Sequence, residues 1–66
     1  MPVVQVTLIE GRAPAQKEAL IASVTDAVVE ALDAPRDSVR VLLYEVPAAH
    51  WGVGGASKDT RREGSR

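Results

Sequence analysis

Residues 2–12 read PVVQVTLIEGR, and this stretch decides the fold because it supplies the strand against which the rest of the chain has to pack. Apart from Gln5, the segment Val3–Ile9 is apolar or β-branched, which is the composition and length of a β-strand. Apolar side chains alternate onto both of its faces, so we expect the strand to be covered on both sides. Gly11 then ends the strand.

A helix is predicted directly after this strand. Proline fits the first turn of a helix, where its missing N–H lacks a partner in any case, so we expect the helix to begin at Pro14. Apolar side chains then recur every four residues and form one face: Leu20, Val24, Val28 and Leu32. The segment Asp33-Ala34-Pro35 ends the helix, because the residue before a proline is disfavoured in the α region.

The second strand is predicted over Val39–Val46, a run rich in β-branched and aliphatic residues. Alternation places Arg40 on one face of this strand together with Leu42 and Tyr44. Residues 52–55 read GVGG, and glycines tolerate the positive φ angles that a tight hairpin needs. The sequence therefore predicts a short C-terminal hairpin after the second strand.

Strand, helix and strand in this order form a single right-handed βαβ unit with parallel strands, so the predicted fold class is α/β. One helix covers only one face of the sheet, whereas apolar residues lie on both. We therefore expect oligomerisation to complete the fold. The chain, 1–66, is predicted to be one domain whose last residues, 56–66, form a polar, flexible tail.

Composition argues against several functional classes. The chain has 66 residues and no cysteine, and its one histidine, His50, does not make a metal site within one chain. A formal net charge of −1 gives no basis for nucleic-acid or membrane binding. With no recognisable signal peptide and no apolar run of membrane-spanning length, we expect a protein of the cytoplasm. A chain this small has a small core of its own, so association must stabilise it.

Pro2 is a candidate catalytic base. A small second residue permits removal of Met1, which leaves Pro2 as the amino terminus with a free secondary amine. An ordinary α-amino group has a pKa of about 7.7 to 8.0, and burial or a neighbouring cation lowers that pKa, which favours the neutral amine. The rigid ring and the strand behind it hold the amine in place, as general base catalysis requires. The alternative is that Pro2 merely marks the start of the translated chain.

Arg12 and Arg40 are candidate substrate ligands. Arginine within an apolar strand, as at position 40, is costly unless the guanidinium reaches a partner or a cavity. Guanidinium groups bind carboxylates through paired hydrogen bonds, so two of them near a basic amine indicate an acidic organic substrate. The alternatives are a solvated loop charge for Arg12 and an intersubunit ion pair for Arg40, with Glu45 or Asp37 as its partner.

Trp51 is the only tryptophan and directly precedes the glycine turn. A large aromatic side chain there either walls off a pocket, which favours a neutral amine inside it, or anchors an interface. The neighbouring His50 is not assigned to the site, because a lone histidine in a turn is more often exposed.

The chain strongly resembles the 4-oxalocrotonate tautomerase family. The resemblance covers almost the whole chain to Gly55 and is specific in the order and spacing of its motifs. The segments that carry it are Pro2, LIEGR at 8–12, QKEALI at 16–21, LDAP at 32–35, SVRV at 38–41 and HWGVGG at 50–55.

This resemblance implies small βαβ subunits assembled as a hexamer, a trimer of dimers, with sites formed across subunits and without cofactor or metal. It implies that Pro2 moves a proton between the 2-hydroxydienoate and 2-oxo-enoate forms of an unsaturated acid such as 2-hydroxymuconate. Arg12 would hold the distal carboxylate, and Arg40 the carboxylate and oxygen at the 2-oxo end, where enolate charge develops. The backbone of Ile9 would assist, and Trp51 would form the apolar wall.

The sequence is also compatible with functions other than tautomerase activity. Members of the wider superfamily use the same proline for dehalogenation, hydration or decarboxylation, and the Gly-Val-Gly turn at 52–54 offers no acidic group to activate water. A non-catalytic oligomeric binder is the alternative from another class, and retention of Met1 would favour it because the Pro2 nitrogen is then an amide. The role is either catabolic, in the degradation of aromatic compounds, or biosynthetic.

Overall fold

The computed structural model of the protein describes residues 1–59. Two parallel strands form its main sheet, β1 at Val3–Ile9 and β2 at Arg40–Val46. They pair without a bulge, from Val3 opposite Arg40 to Ile9 opposite Val46. The bounds predicted for β1 are confirmed. The second strand begins one residue later than predicted, because the N–H of Val39 closes the preceding turn on the carbonyl of Arg36 at 3.2 Å.

Helix α1 runs from Pro14 to Leu32 and connects the two strands, as predicted. Its start is stabilised by Gln16, whose side-chain oxygen accepts a hydrogen bond from the N–H of Ala13 at 3.0 Å. Its end lies at Asp33, which takes the left-handed conformation with φ 54° and ψ 39° and donates its N–H to Val29. The helix therefore ends through a left-handed cap, and Pro35 only follows it.

One face of α1 packs on one face of the sheet and leaves the other sheet face open. The half-buried helix residues are Lys17, Leu20, Ile21, Val24, Thr25, Val28 and Val29. The assignment of Leu32 to this apolar face is wrong within one chain, because Leu32 lies at the last turn and is 64% exposed. An ion pair between Lys17 and Glu45, at 3.1 Å, links the helix to β2.

Two 3-10 turns and a hairpin complete the described chain. The turns span Arg36–Ser38 and Ala48–His50, and each is followed by a strand. Strands β3 (Gly52–Val53) and β4 (Ala56–Ser57) pair antiparallel, as the glycine pattern predicts.

The turn of this hairpin needs its two central glycines. Gly54 and Gly55 have φ angles of 64° and 92°, which side chains with a Cβ rarely adopt. Assigning residues 56–57 to the polar tail is wrong, because these two residues form β4. Residues 60–66, where most of that tail was predicted, lie outside the described part of the chain.

A single copy of the fold is incomplete. No residue among 1–59 is buried, and the radius of gyration is 15.4 Å, whereas a compact chain of this length has about 10 to 11 Å. The uncovered side of the sheet, called here the bare face, is formed by Val3, Gln5, Thr7, Arg40, Leu42 and Tyr44. Its large apolar side chains are 41 to 52% exposed. Further subunits complete this fold, because residues 1–59, none of which is buried, form no core of their own.

Candidate active site

Pro2 is held at the start of β1 by a backbone hydrogen bond. The N–H of Arg40 donates to the carbonyl of Pro2 at 2.9 Å, which extends the ladder of the parallel sheet by one residue. Pro2 is half-buried, whereas Met1 is 81% exposed. The side chain of Met1 therefore packs on little of the chain, and its removal would leave the Pro2 nitrogen fixed at the end of the sheet.

Arg40 occupies the first position of β2, on the bare face. Its Nη1 donates a hydrogen bond to the backbone carbonyl of Asp37 at 2.8 Å. Within the chain, Glu45 pairs with Lys17 and the contact of Arg40 to Asp37 is with its backbone, so the intersubunit ion pair considered for Arg40 stays a prediction. The other N–H groups of the guanidinium donate to no group within residues 1–59, so they are available to a carboxylate or an enolate oxygen.

Arg12 lies beyond the opposite end of β1. Gly11, with φ 122°, turns the chain there, and Arg12 is exposed, with no ion pair to any of residues 1–59. A strand rises about 3.3 Å per residue, so Pro2 and Glu10 are about 26 Å apart. An arginine side chain does not span that distance. Pro2 and Arg12 of one chain therefore do not meet in one site.

Ile9 and Trp51 also lie away from Pro2. Ile9 is the last residue of β1 and pairs with Val46 at the end of β2. Trp51 follows the second 3-10 turn, is half-buried, and is held through its backbone, with its N–H on Ala48 at 3.2 Å. The neighbouring His50 is exposed. The sheet thus separates Pro2 and Arg40, at one end, from Ile9 and Arg12, at the other.

The described residues form neither a metal site nor a membrane-spanning helix. Within residues 1–59, no three side chains of His, Cys, Asp or Glu are grouped so that they could hold a metal ion. Over the same range, α1 is not apolar enough to qualify as a membrane-spanning helix, and no other helix is long enough.

The fold and these positions define a class of protein: a small βαβ subunit with proline behind its first methionine, whose candidate ligands lie at opposite ends of a two-stranded parallel sheet. The profile of the tautomerase family, described as "Tautomerase enzyme", matches residues 2–61. The chain belongs to this family, in its 4-oxalocrotonate tautomerase branch, and is an enzyme of the isomerase class.

Two relatives share more than half of the aligned residues with this chain. A probable tautomerase of Ralstonia nicotianae is 59% identical over 66 residues, covering 100% of this chain and 94% of the relative. A 2-hydroxymuconate tautomerase of Pseudomonas sp. strain CF600 is 51% identical over 63 residues, covering 92% of this chain and all of the relative.

Solved structures agree with the fold. TomN, a 4-oxalocrotonate tautomerase homologue of the tomaymycin biosynthetic pathway, superposes with a TM-score of 0.95 at 42% identity, over 98% of this chain and 100% of that one. A heterohexameric 4-oxalocrotonate tautomerase from Chloroflexus aurantiacus superposes with a TM-score of 0.86 at 39% identity, over 89% of this chain and 95% of that one. The predicted βαβ fold and family are confirmed.

Two contacts of the site were not anticipated from the sequence. One is the acceptor of the Arg40 guanidinium, which is the carbonyl rather than the carboxylate of Asp37. The other is Ser38, whose hydroxyl closes the turn that presents this carbonyl by donating to Pro35 at 2.7 Å. The only sequence signal for either is a proline and a serine shortly before Arg40, a combination typical of turns in general.

Proposed function

We propose that this protein is a cofactor-independent tautomerase that interconverts 2-hydroxydienoate and 2-oxo-enoate forms of an unsaturated acid, with 2-hydroxymuconate as its substrate. The Pro2 nitrogen, freed by removal of Met1, takes the proton from the 2-hydroxyl group. The resulting ammonium returns it to the far carbon of the conjugated chain. Pro2 is thus both the base and the acid, so the reaction needs no further proton carrier.

The observation that carries this proposal is the tether of Pro2 to the sheet. The 2.9 Å bond from Arg40 to the Pro2 carbonyl restrains the residue whose nitrogen must reach the substrate. A base is effective only when it lies within hydrogen-bond distance of the proton it removes, and a frayed terminus would not hold that geometry. A Pro2 residue held in this way supports a catalytic role better than the alternative, in which Pro2 only marks the start of the translated chain.

Each remaining candidate residue has a role in this reaction. Arg40 would bind the carboxylate and oxygen at the 2-oxo end, where negative charge develops on the enolate. Arg12 would bind the distal carboxylate of the substrate. Trp51 would form an apolar wall that favours the neutral amine, and the backbone at Ile9 would assist by hydrogen bonding. The relatives named 2-hydroxymuconate tautomerase support this substrate.

We propose that the active assembly is a homohexamer, a trimer of dimers. The separation of about 26 Å between Pro2 and the Arg12 end of β1 supports a site shared between subunits. The bare face and the absence of any buried residue among 1–59 support extensive association. The cellular setting that we propose is the cytoplasmic degradation of aromatic compounds.

The test is turnover of 2-hydroxymuconate, followed by its ultraviolet absorbance. We expect Pro2→Ala, Arg12→Ala and Arg40→Ala each to lower kcat/KM by at least about tenfold, which equals roughly 1.4 kcal/mol of barrier. Ser23→Ala, on the exposed side of α1, is the matched control and should leave kcat/KM unchanged. Wild-type rates in all three arginine and proline variants would reject the proposal. Intact-mass measurement that finds Met1 fully retained would favour a non-catalytic binder instead.

A further inference from the structure

Arg40 donates hydrogen bonds to two different parts of the chain. Its backbone N–H bonds the carbonyl of Pro2 at 2.9 Å, and its guanidinium bonds the carbonyl of Asp37 at 2.8 Å. In a continued 3-10 helix the carbonyl of Asp37 would instead accept the N–H three residues later, which is that of Arg40 itself. Since this N–H is used by Pro2, the side chain of Arg40 takes its place. The tether of the proposed base and the orientation of the guanidinium are thus linked through one residue.

The carbonyl that receives the guanidinium is fixed by Ser38. The hydroxyl of Ser38 donates to the carbonyl of Pro35 at 2.7 Å, and its backbone N–H donates to the same oxygen at 3.0 Å. Two bonds on one oxygen restrain the intervening turn, and the ring of Pro35 already restricts its own φ. The Asp37 carbonyl lies in the segment between Pro35 and Ser38, which the two hydrogen bonds hold. Loss of the hydroxyl would therefore loosen the group that orients Arg40.

This restraint matters because Arg40 is exposed and its side chain is long. A free arginine side chain loses much rotamer entropy when it binds a carboxylate. A guanidinium already held by one N–H loses less on binding, since its plane is fixed while its other donors remain open. Preorganisation of this kind increases substrate binding without adding any contact to the substrate.

We propose that Ser38 is a positioning residue for Arg40, acting through the carbonyl of Asp37, and that it thereby increases the affinity of the site for the 2-oxo carboxylate end of the substrate. This inference rests on the proposed function for the identity of the substrate. Its structural part, the immobilisation of the Arg40 guanidinium by the Ser38 hydroxyl, concerns the free protein and is measurable without any substrate.

The kinetic test is a double-mutant cycle with Ser38→Ala and Arg40→Ala. A hydrogen bond of ordinary strength corresponds to about a fivefold effect, so we expect Ser38→Ala to lower kcat/KM about fivefold, mainly through KM. In the Arg40→Ala background the same change should alter kcat/KM less than about twofold, because the group it positions is gone. Ser38→Thr keeps the hydroxyl and should restore the rate. Equal losses in both backgrounds would overturn the proposal, since a general structural defect acts in both.

A substrate-free measurement separates this inference from the proposed function. NMR gives the rate of rotation about the Nε–Cζ bond of Arg40, with Arg40→Lys to assign the signal. We expect this rotation to be at least about twofold faster in Ser38→Ala than in wild type and in Ser38→Thr. If Ser38→Ala does not assemble, Ser38→Cys, with its weaker donor, replaces it in both tests. An unchanged rotation rate would overturn the positioning role, whereas a wild-type protein without turnover would reject only the proposed function.

Discussion

Mixing two inactive variants tests whether the site is shared between copies. Pro2→Leu, whose larger second residue keeps Met1 attached and so leaves an amide nitrogen at position 2, removes the proposed base at one end of β1, and Arg12→Ala removes a proposed ligand beyond the other end. The seven residues of β1 and its flanks separate these ends by about 26 Å, so one chain cannot bring both groups to one substrate. A mixed oligomer, however, contains some sites in which the chain that supplies Pro2 and the chain that supplies Arg12 are both intact.

The activity regained by the mixed oligomer follows from the fraction of sites in which both residues are intact. When equal amounts of the two variants assemble at random, each required residue is intact with even odds, so about a quarter of the sites regain both groups. The variants are mixed in urea, refolded together by dilution and assayed with 2-hydroxymuconate. We expect about a quarter of the wild-type kcat per site. The matched control is the same pair of variants refolded separately and then combined. Its activity should stay at the level of the two separate variants.

One outcome would refute this reasoning directly. If the co-refolded mixture forms oligomers of normal mass, with both variants present in each particle, but has no more activity than the parents, Pro2 and Arg12 must act from the same chain. The distance worked out along β1 would then be irrelevant to the site.

Two further predictions concern the scaffold. Leu42→Asp places a charge on the bare face, so we expect sedimentation velocity to show dissociation to smaller species. Ser23→Asp, on the outer side of α1, is the control and should keep the wild-type mass. An unchanged mass for Leu42→Asp would mean that the bare face is not an interface. Asp33 has φ 54°, which disfavours any residue with a Cβ, so Asp33→Gly should raise the free energy of unfolding by about 1 kcal/mol. Guanidinium denaturation at fixed protein concentration measures this gain, and Asp33→Ala, which keeps the Cβ, should show less of it.

Much of the fold was predictable because its signals are local. The β-branched and apolar composition of Val3–Ile9 and the proline at position 14 each specify an element within a few residues, and both elements form where predicted. The glycines at 54 and 55 likewise specify their own turn. The end of α1 was harder, because a left-handed aspartate is a rare cap, and the sequence offered Pro35 as a more obvious stop.

The arrangement of the site was less predictable, since it depends on relations between distant residues. Sequence reasoning selected Pro2, Arg12 and Arg40 by residue type, but only the register of β1 on β2 shows that Pro2 and Arg40 share one end of the sheet while Arg12 lies at the other. The carbonyl partner of Arg40 could not be predicted from the sequence either. Every residue has a backbone carbonyl, and no residue type marks the one that is used.

The central claim is that a free amine at Pro2 acts as a base within an assembly of several copies. An NMR titration of protein labelled with ¹⁵N-proline measures this most directly in the assembled particle. The account predicts that the Pro2 nitrogen titrates, with a pKa below the value of about 7.7 to 8.0 of an ordinary α-amino group, because guanidinium groups of neighbouring copies disfavour its protonated form. A Pro2 nitrogen that does not titrate, or that keeps its proton well above that range, would contradict it.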